Sequence, residues 1–152
     1  MYQLRVIEPT AVDMSIVDTL YNGNKKVIDE NSNNIPLGRI KGKLSSVAPN
    51  KLNIEVLDES GEVVAYTAGR IRKNAYHCTT IVTKSARVFT ISTQEPWHTI
   101  LKEQGCTHLF AYVVVGTPMH TLMMQSIGRT DLYKAMPNEA TGGNTVISLE
   151  LL

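Results

Sequence analysis

The sequence predicts an α+β domain of three-layer character, a mixed and mostly antiparallel sheet with helices on both faces. Three observations carry that expectation. The stretch "KLNIEVLDESGEVVAYTAGRIR" alternates apolar and polar residues on either side of Asp58-Glu59-Ser60-Gly61, a glycine-containing turn of hairpin length. The stretch "THLFAYVVV" is almost continuously apolar or β-branched, as a strand covered on both faces is. It leads directly into "PMHTLMMQSIG", a helical pattern opened by Pro118 and closed by Gly128.

The remaining elements follow in order. "YQLRVIEP" alternates and stops at Pro9, which predicts a first strand. Thr10 is placed as the N-cap of a helix whose apolar positions are Val12, Ile16, Val17 and Leu20. "YNGNKKVIDENSNNIPLG" reads as a loop with room for a short helix, and Arg39, Lys41 and Lys43 after it read as a solvated edge or an anion site. Strands are expected at 52–57, 62–71 and 76–82, the last because "AYHCTTIVT" is rich in β-branched residues. "RVFTIS" is read as an extension or bulge of that sheet. "EPWHTILKEQG" reads as a helix with Pro96 near its start and Gly105 past its end. "NTVISLELL" reads as a last strand. On the strand from 109 to 115, Phe110, Tyr112 and Val114 should share one face and Leu109, Ala111, Val113 and Val115 the other, both buried.

Composition narrows the function classes. A chain of 152 residues with 43% hydrophobic and 19% charged residues suits one domain, 1–152, with a real core. The formal net charge of +1 gives no electrostatic case for nucleic acid or an anionic membrane as the main partner. No apolar run approaches the roughly 20 residues of a membrane span, and "MYQLRVIEPT" lacks the basic-then-apolar pattern of an export signal. Cys78 and Cys106 make no disulfide framework and no zinc-ligand spacing, so no metal is expected.

Several side chains admit a chemical reading beside a structural one. His77-Cys78-Thr79 has the His-x-Thr form used in pairs by two-histidine phosphoesterases, yet His98, His108 and His120 supply no second copy. Cys78 with His77 or His108 would make a thiol–imidazole pair, whereas a cysteine in a β-branched strand is ordinarily a small core residue. Met119, Met123 and Met124 read as core packing. Glu55 and Glu62 read as solvent-facing strand polarity, with a general base as the alternative. Trp97 either packs on the sheet or presents an aromatic face to an adenine or a partner.

The element order resembles the acetyl-CoA-dependent N-acyltransferase (GNAT) fold. "LRVIEPTAVD" is similar to its first strand and helix entry, "VLDESGEVVAYTAGRI" to its central hairpin, and "HLFAYVVVGTPMHTLMMQSIG" to the strand–helix unit beside the acyl donor. The resemblance implies two splayed strands, with the pantetheine arm of the donor pairing to exposed backbone between them. It would place the acyl carbonyl against backbone N–H groups of Ile81, Val82 and Thr83, and the pyrophosphate near Ser92 and Thr93. The strand-Val-Gly-helix-Ile-Gly segment also resembles small GNAT-like proteins encoded beside the internal virion proteins of T7-like phages. That narrower likeness implies a host-cytoplasm or virion setting, other virion or assembly proteins as partners, and self-association; from the charge balance no nucleic acid or membrane partner is expected.

The chain departs from the enzyme pattern at two places. The loop [RQ]-x-x-G-x-[GA] is missing, and no glycine lies between Gly69 and Gly105. The tyrosine expected four residues before the helix-ending glycine is Met124, which cannot donate a proton. Thr117 stands where an asparagine is common, and Arg129 where an aromatic is. Tyr112 and Tyr133 are the candidate substitutes for the acid. Bulky residues from Lys84 to Gln94 are expected to crowd the donor cleft, with Phe89 or Trp97 as the obstruction. Three functions stay open: a virion or assembly component with weak or lost acyl transfer and no cofactor, an active N-acyltransferase using acetyl-CoA, and a phosphoesterase around His77 and Thr79.

Overall fold

The computed structural model describes residues 1–32, 35–114, 116–136, 139–141 and 144–152. Its elements are β1 (Gln3–Ile7), α1 (Met14–Gly23), α2 (Lys25–Ser32), α3 (Leu37–Ser45), β2 (Lys51–Leu57), β3 (Val63–Arg72), β4 (Ala75–Thr83), α4 (Ile91–Glu103), β5 (His108–Val113), α5 (Pro118–Ile127), β6 (Tyr133–Ala135), β7 (Glu139–Thr141) and β8 (Asn144–Leu151). The strands form one sheet in the order β1-β2-β3-β4-β5-β8-β6, with β7 also paired to β8. Every pairing among the described residues is antiparallel except β4 with β5. This is the mixed α+β sheet that the sequence predicts.

Strand alternation sends apolar side chains to two separate cores. On one face Ile54, Tyr76, Cys78, Leu109, Ala111 and Ile147 meet Trp97 and Leu101 of α4 and Met119 and Ile127 of α5. On the other, Tyr66, Ala68 and Val82 meet Val17 and Leu20 of α1, Ile28 of α2, and Ile40 and Leu44 of α3. The central meander matches the expected strands to within a residue or two at each end. Its β3–β4 connection is the pair Lys73-Asn74, both at positive φ, the geometry of a tight hairpin turn.

Four local expectations are corrected. Thr10 does not cap α1. It lies in a short 3₁₀ turn, Pro9–Ala11, and Asp13 caps the helix by accepting from the amides of Ser15 and Ile16. The basic stretch Arg39–Lys43 belongs to helix α3, whose apolar stripe, Ile40 and Leu44, is broken up in the sequence by Gly38 and Gly42. "RVFTIS" leaves the sheet: Ala86–Phe89 form a 3₁₀ turn capped by the Ser85 hydroxyl, and α4 begins at Ile91, so Pro96 lies inside the helix. On β5 only one face is fully covered. Leu109, Ala111 and Val113 are buried, but Phe110, Tyr112 and Val114 are half-buried, and Tyr112 lines an open pocket on that face. Val115 lies outside the described residues.

Glu55 is also not the solvent-facing residue expected. It is 3% exposed, sits opposite Arg5 in the β1–β2 register, and accepts from Arg5 Nε at 2.6 Å. Glu62 is exposed.

Candidate functional site: the fork between two parallel strands

The one parallel pairing among the described residues is short. β4 and β5 are in register only from Ala75 opposite His108 to Cys78 opposite Ala111. Beyond that point the strands part, and the edge of β4 from Thr79 to Thr83 has no ladder partner on β5. The parting coincides with a β-bulge. Ala68 pairs with Thr80 and Gly69 with Cys78, so Thr79 is the extra residue. A bulge bends its strand and re-aims the side chains beside it. Gly69 is required by packing: a Cβ there would lie 2.3 Å from the His77 carbonyl oxygen and 2.7 Å from the Tyr76 ring. That ring crosses β3 so that its hydroxyl donates to the Leu52 carbonyl at 2.8 Å.

Each side of the fork holds a pocket, and the two differ in kind. On the α4–α5 side a cavity of 30 Å³ is lined by residues that include Cys78, Ile81, Phe89, Gln94, Trp97 and Met123. That is room for a water molecule or two. Burial pushes the Cys78 thiol up to about 12, so it is not a ready nucleophile. His77 lies on the opposite face, which removes the thiol–imidazole pair.

On the α3 side a pocket of 280 Å³ is lined by Lys43, Ser46, Lys51, Gly69, Arg70, Arg72, His77, Thr79 and Tyr112. His77 Nδ1 and the Tyr112 hydroxyl are 3.0 Å apart. The His77 ring also stacks on Phe110, with centroids 5.0 Å apart. Desolvation, helped by the Arg72 charge, holds the His77 imidazole below its usual pKa, which favours the neutral ring at pH 7. Lys51 is tethered: its ammonium donates to the Lys43 carbonyl at the end of α3 and to Ser46 Oγ.

The sequence-predicted residues scatter across this arrangement. Tyr112 is in the basic pocket. Tyr133 is buried on the other side, its hydroxyl donating to the Gln94 carbonyl at 3.2 Å, with its pKa raised by burial. Ile81 lines the apolar cavity, whereas Val82 is fully buried in the α1–α3 core. The Thr83 hydroxyl donates to the Ser85 carbonyl. Ser92 Oγ pairs with Thr90 Oγ1, and both the amide and the hydroxyl of Thr93 donate to the Thr90 carbonyl. Sequence reasoning missed the convergence of Lys51, Arg70 and Arg72 with His77. A signal was present: Arg70 and Arg72 share a strand face, and the tight turn at Lys73-Asn74 sets Arg70 directly opposite His77.

No family model matches the sequence, and none of the curated proteins does. Solved structures do match. The chain is similar to aminoglycoside acetyltransferase AAC(6')-Ib in complex with coenzyme A and kanamycin, with a TM-score of 0.67 at 9% identity over 99% of this chain and 94% of that one. It is also similar to the PaiA N-acetyltransferase from Thermoplasma acidophilum in complex with coenzyme A, with a TM-score of 0.61 at 10% identity over 100% of this chain and 99% of that one. The fold is that of the GNAT acetyltransferases. At such identities the likeness is one of backbone course, and residue roles have to be argued from this chain.

Tested against coenzyme A, this GNAT fold gives a divided answer. The unladdered edge of β4 suits the pantetheine arm. The turn directly after β4 does not suit a pyrophosphate, because the amides of Lys84, Ser85, Arg87 and Val88 already donate to Val64 O, Thr83 Oγ1, Ser85 Oγ and Ser85 O. A phosphate-binding loop needs such amides turned outward. Met124, four residues before Gly128, packs against the α4–α5 core.

Proposed function

We propose that this chain is an acyltransferase-fold protein with a filled donor cleft, serving as an internal or assembly component of a phage particle with weak or no acyl transfer. The observation that carries the reading is the apolar side of the fork, where Phe89 and Trp97, 1% and 6% exposed, line a cavity of only 30 Å³. The inward-facing amides after β4 support it further. Fold and site are separable, so a scaffold outlasts its chemistry easily. The likeness of residues 108–128 to small virion-associated proteins supports the phage setting, and with it a host-cytoplasm or virion location and virion-protein partners.

Calorimetry with acetyl-CoA tests the donor half of this reading. No binding is expected through the high micromolar range, and micromolar affinity would overturn it. The phage half is tested by particle purification. The chain should sediment with assembled particles or their intermediates, and its absence from both would overturn that assignment.

A second reading, an active N-acyltransferase, is favoured by the open α3 side of the fork. Bound acyl-CoA would supply the thioester. The neutral His77 imidazole is placed to take a proton from an incoming amine, and Tyr112 to fix the ring through its Nδ1 contact. On that reading Tyr112→Phe and His77→Gln each slow turnover by about 10²–10⁴. For phosphoester cleavage, His77 and Thr79 do line one pocket. The second His-x-Thr that this chemistry needs is missing from the sequence.

A further inference from the structure

The pocket on the α3 side has a chemistry of its own, whichever reading of the donor cleft holds. Four permanent cations converge on it from three elements: Lys43 at the end of α3, Lys51 on β2, and Arg70 and Arg72 on β3. Among the described residues no carboxylate lines it. Lys51 is held by the end of α3. Lys43, Arg70 and Arg72 have no ion-pair or side-chain hydrogen-bond partner among the described residues. Unlike these, Arg5 and Lys41 each have a carboxylate.

Clustered cations without counter-charge repel one another, and the protonation of the group reflects it. Desolvation lowers the pKa of Lys51 first, with further lowering by Arg70 and Lys43. Lys43 is lowered by desolvation and then by Arg39. A ligand carrying two or more negative charges would relieve this repulsion. The space is also kept open. Thr79, the extra residue of the bulge, is small and exposed.

We propose that this pocket binds a metabolite-sized phosphate monoester. Guanidinium groups match phosphate oxygens through paired N–H donors, and lysines add point charge. A phosphate monoester carries close to two charges at neutral pH, as a phosphorylated side chain does. The volume of 280 Å³ lies just under the usual range for small-molecule sites, about 300–1,000 Å³, which suits one phosphate and a few carbons. His77 and Tyr112 close the end of the pocket towards the fork and offer neutral polar atoms for the organic part.

The test is calorimetry of the full chain at low ionic strength with ribose 5-phosphate, inorganic phosphate, citrate and a single-stranded oligonucleotide. Ribose 5-phosphate should bind, more tightly than inorganic phosphate, and should raise the melting temperature. Arg70→Gln with Arg72→Gln should weaken binding by about ten-fold or more. Lys102→Gln, an exposed change on α4 that removes one positive charge at a distance, should leave it unchanged. If the double variant does not fold, Arg72→Gln alone should still lower both affinity and the ligand-induced rise in melting temperature. No binding by ribose 5-phosphate, equal loss in Lys102→Gln, citrate binding as tightly as the monoester, or tighter binding of the oligonucleotide would each overturn the proposal. Acetyl-CoA itself carries a ribose 3′-phosphate monoester, so its binding bears on the donor cleft only where it survives Arg70→Gln with Arg72→Gln, and binding lost in that variant belongs to this pocket.

Discussion

The two sides of the β4–β5 fork make opposite use of the same backbone event. Towards α4 and α5 the parting strands are filled by Phe89, Trp97, Met123 and Ile127, and little space is left. Towards α3 the same parting leaves a polar depression nine times larger in volume, 280 against 30 Å³, ringed by cations. The parting and the bulge at Thr79 set where a site can be. The side chains on each face then decide whether one exists. A fold assignment made from backbone course therefore constrains the position of chemistry here more tightly than its nature.

Three perturbations would break or sharpen that contrast. The largest effect is expected from Phe89→Ala, which removes a fully buried ring from the filled side and should cost about 3–5 kcal/mol in urea unfolding. If the ring is what excludes the donor, the surviving folded protein should also gain affinity for acetyl-CoA. A variant that stays as blind to acetyl-CoA as the parent would shift the cause of exclusion to the inward-facing amides after β4.

Gly69→Ala comes next. The added Cβ would meet the His77 carbonyl and the Tyr76 ring, and backbone cannot retreat as a flexible side chain can. A loss of about 1–3 kcal/mol is expected in the same unfolding measurement. Binding of anions on the α3 side should fall as well. Normal stability in this variant would mean that the bulge tolerates more movement than its contacts allow.

The smallest effect concerns His77. Its folded pKa is depressed below the unfolded value near 6.5 by desolvation and Arg72, so the unfolded chain takes up the proton first as the pH falls. Stability should therefore decline as the pH drops from about 6.5 through the folded pKa, and this contribution should level off below it. His77→Gln should flatten that part of the profile. The charges facing the ring are those of Arg70, Arg72, Lys43 and Lys51, with the Tyr112 hydroxyl on Nδ1. An anion among them should raise the pKa of His77 in an NMR titration, and a bound phosphate ester that left it unmoved would place the ligand elsewhere.

What the sequence revealed follows from where its information is local. The central meander is legible because period-two alternation and a Gly-containing turn are both short-range signals. The α5 boundaries are legible because Pro118 and Gly128 bracket an apolar run, and Thr117 does accept from the His120 amide. Helix α3 is hidden because its buried pair, Ile40 and Leu44, is interleaved with glycines, which lower helical propensity, and with basic residues that resemble a solvated loop. The short strands β6 and β7 have little sequence signal of their own, and their pairing with β8 is a tertiary fact. Glu55 looked solvent-facing because its counter-charge, Arg5, is fifty residues away in the chain. The basic pocket is the same kind of case. Its residues come from α3, β2, β3, β4 and β5, and only the hairpin pair Arg70 and His77 could be joined on paper.

The four-residue seam between β4 and β5 has a mechanical meaning. Among the described residues it is the sole ladder joining the plate formed by β1 to β4 to the plate formed by β5, β6, β7 and β8. Sub-global opening follows the weakest boundary between cooperative units. Native-state hydrogen exchange should therefore divide the amides into two isotherms along this line, with Ala75 to Cys78 and His108 to Ala111 exchanging with whichever plate gives way first.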